Sequence, residues 1–275
     1  MSNPWLERAR EAYEEGRLED ALRLLERVKG DFREAWVLRA LVHCELSQSH
    51  ECLHAVEKAR SLRESALARG TAPQELHEQD IELLAAEANA LCDRWRLDEA
   101  QAKFEQLLAA DGPSGACMSL ALLHDLRGQF ERAQEFERQA HASDPQNISL
   151  PVHLDEQAFH ELVLQATARL PERFQAVLES TSVNVAPVPT LDLVDPQDLE
   201  STPPDCLGLF LGPSELETSP DDVELPTSIW LFQRNIERMC SSLEELEHEI
   251  ATTLYHELGH FIGFDEDGLA DLGLQ

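Results

Sequence analysis

Basic residues are scarce in this 275-residue chain, which has 22 lysines and arginines against 53 aspartates and glutamates and a net charge of −31. A field of that sign repels nucleic-acid phosphates, so we expect no nucleic-acid partner. The excess is concentrated in residues 151–275, which hold only four of the basic residues. It favours cations or basic peptides as partners, unless it serves only to keep the surface soluble.

Long apolar runs are also missing. No segment approaches the roughly 20 apolar residues that span a bilayer, so we expect no membrane insertion. The first residues contain no apolar stretch of the kind found in secretory signals. The six cysteines are scattered without a C-x-x-C pair, which favours buried thiols over disulfides or a second metal site. Together these absences predict a cytoplasmic protein.

Four segments of the first half share one spacing, in which two small residues lie twelve positions apart across a turn residue. Small residues allow two helices to approach closely, and glycine suits the turn between them. The sets are Ala9 and Ala21 around Gly16, Ala40 and Cys52 around Ser47, Ala88 and Ala100 around Trp95, and Ala121 and Ala133 around Gly128.

With Asp144 and Pro145 closing the last unit, this spacing resembles the tetratricopeptide repeat over residues 4–145. The second segment departs from the pattern at Ser47 and Cys52, and residues 61–78 lengthen the gap before the third as a helix extension or a loop. A generic helical bundle is the alternative. The resemblance implies a surface that binds peptides or partner proteins.

Near the end of the chain, His256, Glu257 and His260 form the pattern H-E-x-x-H. Residues four apart share one face of a helix, so two imidazoles at this spacing can bind one zinc ion. Ser241 and Ser242 stand three residues before two glutamates, which is a capping-box signal. A stripe of apolar residues then follows at three- and four-residue steps, predicting a helix over residues 242–262. The alternative is a solvated helix that binds no metal.

The third ligand is predicted from the residues after Gly263, where the chain can turn back toward the metal. Glu266 completes H-E-x-x-H-x-x-G-x-x-E, while Asp265 and Asp267 remain rivals because a loop can slip by one residue. Bound zinc lowers the pKa of its water to roughly 7 and polarises a carbonyl group, and Glu257 would be the general base. This is the chemistry of a zinc metallopeptidase.

Residues 151–275 otherwise indicate a mixed α and β domain. Helices are expected over about 155–169 and from Pro171 to about 179, and strands at residues 183–188, 206–212 and 227–233. Tyr255, His248, His160 and His153 are candidates to steady an oxyanion, although each is better explained as structural or solvated.

This order of elements, ending in the H-E-x-x-H-x-x-G helix, resembles the small zincin-like (minimal) metallopeptidases of bacteria over residues 153–272. The resemblance implies a compact α+β domain, zinc held by His256, His260 and an acidic residue matching Glu266, and Glu257 as base. It also suggests an edge strand that pairs with an extended substrate, for which we expect residues 227–233 or the run 206–210. The stretch 190–226 is long for so small a domain.

We therefore predict a multidomain protein, with an all-α tetratricopeptide-like domain at residues 1–148 and an α+β zincin-like domain at residues 149–275. The expected function is zinc-dependent hydrolysis of a peptide or protein substrate, with the helical repeats binding the substrate or a protein partner. The alternative is a non-catalytic protein-interaction module whose zinc site is structural or vestigial.

Overall fold

The computed structural model describes residues 3–71, 78–112, 115–170, 172–178, 181–194, 199–212 and 227–262. Packing divides the chain into two compact units. The first comprises the residues up to Leu123 together with Val194–Pro203, and the second comprises His124–Leu193 and the chain from Pro204 onward. The division falls within a helix and does not coincide with the predicted domain boundary at residue 148. That boundary stays a prediction, because packing units and evolutionary domains need not end together.

The described part of the first unit is helical and includes a 3-10 turn at Leu199–Ser201. Six helices lie wholly within it, and a seventh crosses the division: α1 (Pro4–Glu14), α2 (Leu18–Leu25), α3 (Arg33–Glu45), α4 (Ser49–Ala68), α5 (Glu78–Asp93), α6 (Leu97–Asp111) and α7 (Cys117–Asp125). Consecutive helices α1–α2, α3–α4 and α5–α6 pack as pairs. Helix α4 is long, and its last turns form the first part of the gap before the third segment. That gap therefore begins as an extension of the helix.

The turn residues of the four predicted segments share one backbone conformation. Gly16, Ser47, Trp95 and Gly128 have φ of 73°, 53°, 58° and 70°. In each turn the next N–H donates to the carbonyl five residues earlier, at 2.8 to 2.9 Å, as in a Schellman motif. All eight small residues of the pattern are fully buried. The described residues thus contain this turn geometry four times, and the identity of the four segments as tetratricopeptide repeats stays a prediction.

The second unit combines helices with a small sheet. Its elements are α8 (Phe130–Ser143), α9 (Glu156–Ala168), α10 (Glu172–Leu178), β1 (Thr181–Ala186), β2 (Gly208–Leu211), β3 (Thr227–Phe232), α11 (Gln233–Met239) and α12 (Leu243–Ile262). The predicted helices and strands are present, within a few residues of the expected limits. Helix α11 was not predicted, because seven residues between a strand and a long helix give little periodic signal.

The sheet has the strand order β1-β3-β2. Strand β3 pairs in parallel with β1, with Thr181 opposite Thr227, and antiparallel with β2, with Gly208 opposite Leu231. Helix α12 contacts β2, β3, α9 and α11, so its apolar stripe forms the centre of the core of this unit.

Helix α12 begins as its sequence predicts. Ser242 Oγ accepts a hydrogen bond from the Glu245 N–H at 3.2 Å, and Glu245 Oε2 accepts from the Ser241 N–H at 2.6 Å. These bonds satisfy donors that the first turn of a helix cannot pair internally. Leucine or isoleucine at every fourth position from residue 246 to residue 258 is fully buried. The cap and the stripe together fix where the helix starts and which face it presents to the sheet.

Within the described ranges, no helix is long and apolar enough to cross a membrane.

Candidate active site

Helix α12 carries the H-E-x-x-H motif in its last two turns. His256 is partly exposed, whereas Glu257 is 6% exposed and faces the protein interior. The backbone of His260 lies one helical turn after His256, as metal binding by both rings requires. The side chain of His260 lies outside the described part of the structure.

Glu266 and its rivals Asp265 and Asp267 also lie outside the described residues. Within the described part of the chain, no group of three or more histidine, cysteine, aspartate or glutamate side chains is arranged to hold a metal ion. Since two of the three predicted ligands fall outside it, the predicted ligand set stays a prediction.

A close approach between β2 and α12 surrounds the Glu257 side chain. A Cβ atom added at Gly208 would lie 2.8 Å from Glu257 Oε1, 2.8 Å from Thr253 Cγ2 and 2.9 Å from Glu257 Cγ. These distances are shorter than van der Waals contacts allow, so only glycine fits here without a shift. Gly208 therefore allows the Glu257 carboxylate to lie directly against the sheet.

The Thr253 hydroxyl adds an unsatisfied polar group to this face. Thr253 is one turn before Glu257 and is 5% exposed, and its Oγ1 has no hydrogen-bond partner in the described residues. A buried polar group left unpaired costs about 1–3 kcal/mol.

Cys206 lies near the same carboxylate. Burial raises the pKa of the Cys206 thiol, and the negative charges of Asp205 and Glu257 raise it further. The thiol is therefore protonated at neutral pH and acts as a small apolar group beside Glu257. All six cysteines are free thiols, and four of them are buried, whereas Cys44 and Cys206 are partly exposed.

The predicted edge strand at residues 227–233 is wrong, because β3 is hydrogen-bonded on both sides. Within the described residues, the edge beside α12 belongs to β2, which includes most of the alternative run 206–210. A proline at Ile229 would break a central strand and would test folding, not substrate binding. The short sequence of β2 does not indicate which strand is central, because the strand order in the sheet depends on pairing between distant segments.

The four candidates for oxyanion stabilisation do not gather at Glu257. The Tyr255 ring packs edge-on against Phe174 with a centroid distance of 5.3 Å. His160 and His248 are exposed. His153 is held between two buried carboxylates, with Nε2 2.7 Å from Glu137 and Nδ1 2.9 Å from Glu237.

A buried charge network surrounds α11 and was missed by sequence reasoning. Arg234 Nε donates to Asp125 at 3.1 Å, and Arg238 pairs with the other oxygen of the same carboxylate. Burial alone lowers the pKa of His153, but its hydrogen bonds to Glu137 and Glu237 outweigh that effect and raise it. The available signal was the alternation of charged residues at three- and four-residue steps directly after a strongly apolar strand.

Comparison with known proteins bears on this unit. Residues 178–274 match the family model described as Zincin-like metallopeptidase. No curated protein matches the chain. The matched segment includes all three strands, α11 and α12, and therefore the H-E-x-x-H motif and the glycine that packs against it.

Proposed function

We propose that the second unit is a zinc-dependent peptidase in which Glu257 is the general base. The observation that carries the proposal is the position of Glu257, which is buried against Gly208 on the helix that holds two histidines one turn apart. The match to a zincin-like metallopeptidase family supports the same reading.

The residues present fit a zinc ion. His256 and His260 would supply imidazole nitrogens, and Glu266 would supply a carboxylate oxygen, with Asp265 and Asp267 as alternatives. This mixture of imidazole and carboxylate suits zinc among the common divalent metals. When bound, zinc supplies an activated water and polarises the carbonyl group of the scissile peptide.

Glu257 handles the proton in this mechanism. Its carboxylate accepts a proton from the attacking water and later returns that proton to the amine that leaves. Packing against Gly208 restricts the carboxylate to few positions, so less orientation has to be achieved during the reaction.

The substrate would be an extended peptide. In the described residues β2 presents the sheet edge nearest to α12, and a peptide paired with it as an added strand would run past the end of the motif helix. We propose that the helical hairpins of the first unit bind this substrate or a partner protein, in keeping with their resemblance to tetratricopeptide repeats. A cytoplasmic location stays a prediction.

Metal content is the first test. Elemental mass spectrometry of untagged protein should find about one zinc per chain, and His256→Ala should lose it. His248→Ala is a matched control, because His248 is exposed on the same helix. If the protein contains no zinc and takes up none when zinc is added, the peptidase proposal fails.

Turnover is the second test. Hydrolysis of a fluorogenic peptide mixture should be abolished by Glu257→Gln, with zinc content retained. Glu244→Gln makes the same chemical change at an exposed position of α12 and should leave hydrolysis unaltered. Zinc without hydrolysis in the wild type would instead favour a protein-interaction module whose zinc site is structural or vestigial.

A further inference from the structure

Two cysteines stand on either side of the turn at Ser47. Cys44 is in the last turn of α3, and Cys52 is in the first turn of α4. At the equivalent positions the other three segments have tyrosine and alanine, cysteine and alanine, and aspartate and alanine. The second segment is therefore distinguished from the others by a cysteine on both of its helices.

The two sulfur atoms are neighbours. The thiols of Cys44 and Cys52 hydrogen-bond to each other. Both also contact one turn of α5, where Cys52 Sγ donates to the Ala86 carbonyl at 3.6 Å and the Asn89 side-chain amide donates to Cys44 Sγ at 4.0 Å. Helices α3, α4 and α5 pack against one another, so the two thiols lie where three helices meet.

The surroundings make the two thiols chemically unequal. The hydrogen bond from Cys52 lowers the pKa of the Cys44 thiol below its ordinary value, although burial and the charges of Asp93 and Glu45 oppose this effect. The same hydrogen bond, together with burial, raises the pKa of the Cys52 thiol. Cys44 is partly exposed, whereas Cys52 is fully buried. Because the thiolate is the reactive form of cysteine, Cys44 is the sulfur that a dissolved oxidant reaches and modifies first.

We propose that Cys44 and Cys52 form a reversible disulfide when a peroxide oxidises the protein. The Cys44 sulfur attacks one oxygen of hydrogen peroxide, the O–O bond breaks, and a sulfenic acid forms with release of one water. The Cys52 sulfur then attacks the sulfur of this sulfenic acid, so that the S–O bond breaks and the S–S bond forms. The Cys52 thiol proton leaves with the hydroxide as a second water. The two thiols lose two electrons, which the peroxide gains, and a dithiol reverses the reaction by exchange.

This disulfide forms without a new arrangement of the helices. It requires sulfur atoms about 2 Å apart, and thiols already in hydrogen-bond contact reach that separation by rotation of their side chains. The bond ties α3 to α4 beside their connection, so the oxidised protein should unfold at a higher urea concentration than the reduced protein. The inference goes beyond the proposed peptidase function, and it depends neither on zinc nor on Glu257.

Peptide mapping of the full chain tests the bond directly. Reduced protein is treated with hydrogen peroxide, the remaining thiols are alkylated, and the chain is cleaved after glutamate. Cleavage after Glu45 and Glu51 places Cys44 and Cys52 on separate peptides. Mass spectrometry should find these peptides joined, with the loss of two hydrogen atoms, and separate again after dithiothreitol. Cys92→Ala is the matched control, because Cys92 occupies the position of Cys44 in the third segment, and its loss should leave the cross-link intact.

Variants at position 52 separate activation of Cys44 from formation of the bond. Cys52→Ala has the alanine of the other segments and should fold, but it lacks both the hydrogen-bond donor and the second sulfur. Cys52→Ser keeps a donor and lacks only the sulfur. After peroxide both variants should accumulate a Cys44 sulfenic acid that dimedone traps, and iodoacetamide should alkylate Cys44 faster in Cys52→Ser than in Cys52→Ala.

Cys206 is an internal reference for the reactivity of Cys44. It is also partly exposed, but burial raises the pKa of its thiol. Since each pKa unit changes the thiolate fraction about tenfold, iodoacetamide should alkylate Cys44 of the wild type at least about ten times faster than Cys206 at neutral pH.

The inference is overturned if the two peptides stay separate after peroxide, if Cys44 is found only as a sulfinic or sulfonic acid, or if its disulfide joins two chains. Equal alkylation of Cys44 and Cys206 would also overturn it, because Cys44 would then not be activated. The mapping uses the wild type, so it decides the matter even if a variant fails to fold. Zinc content and peptide hydrolysis, measured on the same preparations, show separately whether the peptidase proposal holds.

Discussion

Replacement of Gly208 by alanine should misplace the Glu257 carboxylate. The backbone at Gly208 does not need glycine for its conformation, since its φ is not in the left-handed region, so the constraint is steric. The new methyl group would lie 2.8 Å from Glu257 Oε1 and from Thr253 Cγ2, about 1 Å closer than an ordinary contact. Rotation of the carboxylate alone cannot relieve this overlap, because Thr253 Cγ2 and Glu257 Cγ are also too close, so the whole Glu257 side chain has to shift.

The expected effect on activity is therefore larger than the effect on stability. A displacement of about 1 Å at a reacting group can reduce turnover by about a hundredfold. Overpacking of this size costs about 1–3 kcal/mol of the free energy of unfolding. We expect kcat/KM for peptide hydrolysis to fall about a hundredfold in Gly208→Ala while the protein remains folded and its zinc content is unchanged.

The assay compares hydrolysis, zinc content and urea unfolding of the wild type and Gly208→Ala. Leu209→Ala is the control, because residue 209 lies on the opposite face of the same strand and does not approach Glu257. Unchanged hydrolysis in Gly208→Ala, under conditions in which Glu257→Gln is inactive, would refute the idea that this contact positions the base.

Three further predictions concern stability. Ser47→Gly should raise the free energy of unfolding by about 1 kcal/mol, because Ser47 has a positive φ at an exposed turn. Asp125→Asn should lower it by about 3 kcal/mol, because it removes the charged partner of buried Arg238 and leaves Arg234 paired with Glu237 alone, at 3.2 Å. The pKa of His153 is raised above its ordinary value of 6.5. The protonated ring therefore stabilises the fold fully below pH 6.5, and this stabilisation is lost as the pH rises through the raised pKa. His153→Gln should therefore cost most stability in acid.

The stability of each variant is measured by chemical denaturation, and that of His153→Gln is measured at a series of pH values. A destabilised Ser47→Gly would show that the serine side chain contributes more than its backbone conformation costs. A neutral Asp125→Asn would show that water reaches the two guanidinium groups. For His153→Gln, a stability difference that grows as the pH rises would mean that the ring is neutral in the native state.

The elements of the second unit were predictable where their signals are local. The capping box at Ser242 and the apolar stripe from Leu246 to Leu258 depend on residues within one or two turns, and both fix α12 as expected. The turn positions of the hairpins were predictable for the same reason. Ser47 and Trp95 have a positive φ, as the glycines at the other two turns do. At Trp95 the indole Nε1 also donates to the Thr202 carbonyl at 3.0 Å.

Contacts between distant residues were not predictable. Thr181 and Thr227 are 46 positions apart, and their hydroxyl groups lie 2.9 Å from each other across paired strands. Pairing with both β1 and β2 makes β3 central, which no pattern within β3 reveals. Asp125 and Arg234 are separated by 109 positions, so their buried ion pair has no local signature.

The sequence by itself determined the motif helix, its cap, the buried stripe and the spacing of the two histidines, because a helix is specified by interactions over a few residues. Only the tertiary structure decided that, among the described strands, β2 lies at the edge beside this helix and that Gly208 makes room for Glu257. These features depend on which segments meet, and that choice is set by packing over the whole unit.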